Sequence, residues 1–180
     1  MTNLILPHGS NELNTLYIED DMARASMLSA STEMRRLTIS SAAAANAVML
    51  AAGYFNPLEG FMNKEEALNV ATKMLTLNNI FWPIPIVNLT NDSNALDYTH
   101  GEEIALQDPN IEGNPVIAIQ RIESVSKLTD QEIDTMLTNI FGTNDDNHPG
   151  VKNFKLQGKH LISGPIEVLN YSYFTSDFPN

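Results

Sequence analysis

Apolar residues recur along this chain with two different periods. Ser40 to Ala52 is nearly continuous in Ala, Leu and Met. Ser40 and Ser41 offer N-caps and Gly53 stands where a left-handed cap would end a helix, so the segment predicts a buried, closely packed helix. From Asn63 or Lys64 through Leu75, residues Ala67, Leu68, Ala71, Met74 and Leu75 fall at helical spacing and form one stripe. Thr129 to Phe141 opens with a capping box, Thr129 and Glu132, carries the stripe Ile133, Met136, Leu137 and Ile140, and stops at Gly142. Between these helices the period shortens to that of strands. Trp82 to Leu89 alternates Pro83 and Pro85 with Ile84 and Ile86, which predicts an edge or bulged strand. Ile104 to Leu106, Val116 to Ile122 and Leu161 to Leu169 are further short β-like runs bounded by Gly, Pro and Asn. Short strands mixed with helices, without regular βαβα alternation, predict an α+β domain on a small, mostly antiparallel sheet or barrel.

Composition narrows the function classes. The chain has 180 residues, long enough for one well-buried domain, with 10 basic and 22 acidic residues and a formal charge of −12. Residues 91–147 hold most of the acidity, which predicts a solvated face of loops and one helix. Nucleic-acid binding draws its affinity from a basic footprint that releases counterions, so this charge opposes it. Cysteine is absent, which excludes disulfides, thiolate catalysis and cysteine-type zinc sites and fits a reducing cytoplasm. No run approaches the roughly 20 apolar residues of a membrane span, and Met1 to Asn3 lack the positive charge that opens a secretory signal. The expectation is a soluble cytoplasmic protein with no membrane partner. The sequons at Asn88, Asn91 and Asn170 are then read as polar turn residues.

Candidate chemistry is sparse. Neither GxGxxG nor GxxxxGK(S/T) occurs, so the two common glycine-rich phosphate cradles lack support. His8, His100, His148 and His160 are too scattered for a metal-binding helix face, and they read as surface or capping residues. Asp145, Asn147 and Gly150 occupy calcium-loop places, but Pro149 and Leu156 stand where oxygen ligands are required, which leaves a solvated turn. The adjacent carboxylates Glu65–Glu66 and Glu102–Glu103 point in different directions and do not make an acid–base pair. The only basic concentration is Lys152, Lys155 and Lys159, near Phe154 and flanked by His148 and His160. It would serve either as a weak nucleic-acid groove or as a rim meeting an acidic surface. The Pro-His-Gly and His-Pro-Gly turns at His8 and His148 carry backbone donors that would hold a small oxyanion.

One decapeptide is far more specific. Gly53 to Met62, GYFNPLEGFM, resembles the N-terminal domain of the ATP sulfurylase (sulfate adenylyltransferase) family. Further matches follow in the family's order: Pro7-His8-Gly9, Phe81-Trp82-Pro83-Ile84-Pro85-Ile86, Gly101 with Ile104-Ala105-Leu106, Gly142-Thr143 with His148-Pro149-Gly150-Val151, and Ser163-Gly164-Pro165-Ile166-Glu167-Val168-Leu169. Read as residues, these are backbone punctuation. Pro57, Leu58, Glu59 and Gly60 make a turn that returns Phe55, Phe61 and Met62 to the core, Pro149 and Gly150 make a second turn, and Gly164 and Pro165 a third. Trp82 reads as a core or domain-interface aromatic.

The resemblance implies a PUA-like pseudo-barrel over residues 1–169, with 170–180 opening a linker toward a catalytic domain. In the family that following domain converts ATP and sulfate to adenylyl sulfate and pyrophosphate through a Gln-x-Arg-Asn motif and a paired-histidine motif. Neither is present: Gln120-Arg121 continues with Ile122, and no two histidines are close. No catalytic, cofactor-binding or metal residue is carried over. ATP and Mg²⁺ are expected only in the full-length enzyme, as are a catalytic-domain partner in cis or trans and a homo-oligomer. PUA-like folds elsewhere bind RNA, which supplies the alternative reading, a freestanding RNA-binding or macromolecule-binding module.

Overall fold

The computed structural model describes residues 5–172. Its helices are α1 (Asp21–Ala30), α2 (Ser41–Ala51), α3 (Lys64–Lys73), α4 (Asp130–Phe141) and α5 (Pro149–Gln157). Its strands are β1 (Arg35–Thr38), β2 (Gly60–Phe61), β3 (Asn88–Thr90), β4 (Glu103–Gln107), β5 (Val116–Arg121), β6 (Ser124–Lys127) and β7 (His160–Val168). The ladders β3–β7, β4–β5, β5–β7 and β6–β7 are antiparallel, and β1–β4 is parallel. This is the α+β class with a mostly antiparallel sheet. The linker assigned to 170–180 falls largely outside the described residues.

The chain folds as two compact units. The first comprises residues up to Gly60, Glu103–Arg121 and residues from Pro165 onward. In it β4 is central, with Leu37 opposite Leu106 on one side and Ala105 opposite Ile119 on the other. β5 continues the ladder to the second half of β7, Ala118 facing Val168. α2 packs against β5 and buries Ala43, Ala44, Ala47 and Ala51. Small side chains on one face let the helix approach closely. Ser40 caps it by accepting from the Ala43 amide at 3.0 Å.

The second unit comprises Phe61–Glu102 and Ile122–Gly164. The first half of β7 lies between β3 and β6, with Ile162 opposite both Asn88 and Val125. α3 packs on α4, and α4 on α5. The α4 capping box forms as the sequence predicts: the Thr129 amide donates to Glu132 Oε2 at 2.7 Å and the Glu132 amide to Thr129 Oγ1 at 3.2 Å. Ile133, Met136 and Leu137 are buried.

Several sequence expectations are corrected. Trp82 to Leu89 is not a strand, because Pro83 and Pro85 cannot donate to a ladder and regular pairing begins only at Asn88. Gly164 and Pro165 do not form a turn but lie inside the continuous strand β7, with Gly164 at φ 137°. Pro149 and Gly150 open α5, with Pro149 in the first turn, where a missing amide hydrogen costs nothing. α3 stops at Lys73, and Met74 takes the left-handed cap at φ 55°. Val70, rather than Met74, completes the buried stripe. Phe61 and Met62 reach the core, whereas Phe55 is only half-buried. The acidic segment is not wholly solvated: Asp108 is fully buried at the start of the β4–β5 connection. α1, β1 and β6 have no sequence-level forecast. α1 buries no residue, and β1 is only four residues long with a single buried one, so neither carries a strong periodic pattern.

Candidate functional site

The motif decapeptide forms the connection between α2 and β2. Gly53 sits at φ 75°, and a Cβ there would lie 2.9 Å from Leu13 Cδ1 and 3.2 Å from the Asn14 carbonyl, so a side chain is disfavoured on two grounds. Asn56, 4% exposed, is the anchor. Its Oδ1 accepts from the Asn14 amide at 2.8 Å, and its Nδ2 donates to the His8 carbonyl and to Ser10 Oγ, each at 2.9 Å. The Asn56–Pro57 peptide is cis. Pro7-His8-Gly9 and the decapeptide, 48 positions apart at the Asn56–His8 bond, are therefore one structural unit. Leu58 is half-buried, and beyond Gly60 the Met62 amide donates to the Ile86 carbonyl at 2.9 Å while Met62 Sδ accepts from the Ile86 amide at 3.4 Å. Trp82 is buried and donates its amide to the Met74 carbonyl, while Pro83 is exposed.

His148 is the N-cap of α5: its Nδ1 accepts from the Val151 amide at 3.4 Å, and its ring lies 5.4 Å from that of Phe141. A Cβ on Gly150 would stand 2.6 Å from Phe141 Cε1, so this glycine serves the packing of α5 against the end of α4. Gly164 and Pro165 belong to β7, next to the Ser124–Ser163 hydroxyl pair at 2.7 Å. The motif residues are thus set in place as backbone and packing devices.

The basic cluster is substantially neutralised within the chain. Lys155 Nζ pairs with Asp146 Oδ1 at 2.7 Å, and the Asp146 hydrogen bond holds the ammonium above its ordinary range. Lys159 pairs with Asp130, and that hydrogen bond holds the Asp130 carboxyl below its usual value. Lys152 is exposed. Lys64 pairs with Glu132 at 2.7 Å. Burial, the largest single influence on Glu132, pushes its carboxyl up, but hydrogen bonds from Lys64 and from the amide and hydroxyl of Thr129 together bring it down. Asp145 is held low by the Asn147 amide and side chain, each donating at 2.9 Å, which makes this segment the turn expected of it.

Two polar residues to which the sequence reading assigns no individual role, Asn56 and Asp108, are buried. Asn56 occupies a place between motif residues, and only its partners distant in sequence reveal its role. Asp108 accepts from the amide and Nδ2 of Asn110 at 2.8 and 2.9 Å through Oδ1, while its buried Oδ2 has no hydrogen-bond partner. Among the described residues, no group of three or more His, Cys, Asp or Glu side chains is placed to hold a metal, and no helix is long and apolar enough to cross a membrane.

A sulfate adenylyltransferase of Alcanivorax borkumensis is 46% identical over 180 residues, all of this chain but 44% of that protein. The sulfate adenylyltransferase of Allochromatium vinosum is 42% identical over 177 residues, 98% of this chain and again 44% of the relative. The chain therefore spans less than half the length of these relatives. Among solved structures, one described as a hexameric APS kinase from Thiobacillus denitrificans superposes with a TM-score of 0.66 at 22% identity, covering 96% of this chain and 29% of that one, a likeness of fold. A family model described as a PUA-like domain matches residues 5–171. The chain belongs to the PUA-like domain family.

Proposed function

We propose that this chain is the N-terminal, non-catalytic PUA-like domain of a sulfate adenylyltransferase of sulfur metabolism. In the whole enzyme ATP and sulfate would give adenylyl sulfate and pyrophosphate, with ATP and Mg²⁺ handled by the part of the protein this chain does not span. The observation that carries the reading is 46% identity along the entire chain to a protein more than twice as long. The electrostatics support it. Transfer between two anions requires fixed cations where charge develops, whereas this chain carries −12 and two of the three lysines in its basic cluster are held by aspartates. The same ion pairs, with the net charge, weigh against the RNA-binding alternative. The working context is an oligomeric cytoplasmic enzyme, in keeping with the absence of cysteine.

The test is a replacement. The segment of the Alcanivorax borkumensis enzyme that matches this chain is exchanged for it, and sulfate-dependent pyrophosphate release is measured. Turnover near that of the parent supports a shared scaffold role. A well-folded exchange protein with no turnover would overturn it.

A further inference from the structure

One face of the sheet in the first unit carries charges that do not pair. Glu103 on β4 stands directly opposite Arg121 on β5, and Ile119, two residues earlier, stands opposite Glu167 on β7. Successive residues of a strand point to opposite faces, so Glu103, Ile119, Arg121, Pro165 and Glu167 share one face. The other face carries Ile104, Gln120, Ile166 and Val168, all buried in the core. On the shared face Ile119 is buried, while Glu103, Arg121 and Glu167 around it are exposed. Together with Pro165 they line a half-open cavity of about 260 Å³.

Opposite charges directly across an antiparallel pair ordinarily attract each other. Four cations elsewhere in the chain close on a carboxylate in this way: Arg24 on Asp21, Lys64 on Glu132, Lys155 on Asp146 and Lys159 on Asp130. Among the described residues, no ion pair or side-chain hydrogen bond engages Arg121, Glu103 or Glu167. One guanidinium and two carboxylates are therefore gathered around a common space with their hydrogen-bonding groups unused.

Such a lining selects its ligand by charge. An inorganic anion is drawn to Arg121 but repelled by the two carboxylates, a simple cation meets the reverse, and an apolar molecule would desolvate all three. A molecule carrying both charges satisfies every one of them. The planar guanidinium fork takes a carboxylate bidentately, and an ammonium has three donors to share between two carboxylates. Ile119 and Pro165 offer an apolar wall for a short hydrocarbon. We propose that this cavity binds a small aliphatic α-amino acid, with its carboxylate on Arg121, its ammonium between Glu103 and Glu167 and its side chain against Ile119 and Pro165. The site lies wholly within the first unit and does not depend on the domain reading above.

The experiment titrates the isotope-labelled chain with L-leucine, followed by amide NMR, and separately with isocaproate and isoamylamine. These two keep the leucine side chain but lack the ammonium and the carboxylate respectively. Leucine should shift the amides of residues 103–105, 119–121 and 166–167 saturably, and each analogue should bind at least about tenfold more weakly, because each gives up a charge-assisted contact. Arg121→Gln, and the pair Glu103→Gln/Glu167→Gln, should each weaken leucine binding by about tenfold or more. Arg36→Gln is the control. Arg36 stands opposite Ala105 on the same face but outside the cavity lining, so its loss removes an equal charge and should leave leucine binding unchanged. No leucine-dependent shift at these positions up to about 10 mM, equal binding of the singly charged analogues, or binding undiminished by Arg121→Gln would overturn the site. If a substitution unfolds the chain, the comparison of the three probes on the unsubstituted chain decides alone.

Discussion

Two asparagine-anchored loops in this molecule do opposite things with the same bond type. In the Gly53–Gly60 connection, Asn56 is itself buried and draws in the backbone of residues 8–14, so polar groups go inward and the loop becomes part of the fold. In the 74–82 hairpin, Asn69 stands on the neighbouring helix and grips the loop from below, which leaves leucine and phenylalanine in solvent. Hydrogen bonding alone does not distinguish a structural loop from a presenting one. What separates them is where the apolar side chains end up once the backbone is satisfied.

Substitution should expose that difference. The largest effect is expected for Asn56→Ala, which deletes three hydrogen bonds and leaves the Asn14 amide without its acceptor. The loss should be about 2–3 kcal/mol in urea unfolding followed by circular dichroism. Gly53→Ala forces an L-residue to φ 75° against Leu13, for which about 1–2 kcal/mol is expected, moderated because the Leu13 side chain is exposed and free to shift. Asn69→Ala should cost about 1 kcal/mol. Its effect should be visible in the fluorescence of Trp82, the sole tryptophan, which adjoins the hairpin. An equal or larger loss for Asn69→Ala than for Asn56→Ala would reverse the ranking of the two loops.

Acidity gives the smallest and most diffuse effect. Asp130 and Glu132, at the start of α4, are both held below the ordinary carboxylate range in the folded chain. A depressed folded value means the stabilisation is present above the unfolded value and is lost as pH falls through the folded one. The urea midpoint should therefore stay flat from neutrality down to the usual carboxylate range and decline below it. Glu132→Gln should make that decline shallower. A midpoint that rises on acidification would contradict the assignment.

What the sequence makes legible follows from how local each signal is. The α4 capping box, the Gly53 cap and the runs that became β4, β5 and β7 are written in adjacent residues, and they form where expected. α5 was hidden because His148-Pro149-Gly150 reads equally as a turn or as a helix start, and the deciding fact, Gly150 against Phe141, is a tertiary contact. Gly164 and Pro165 mislead for a related reason: turn residues are tolerated in β7 where the strand passes from one unit's ladders to the other's. The motif positions stand out in the sequence, but what each does in the fold, and the part Asn56 plays, depends on partners dozens of residues away. The burial of Asp108 within an acidic stretch has no local signature at all.

The central claim, a scaffold without the cationic grip needed for adenylyl transfer, is tested most directly by giving the purified chain ATP, Mg²⁺ and sulfate with pyrophosphatase and measuring released phosphate. The account predicts no release above background. Sustained sulfate-dependent release from this chain alone would contradict it.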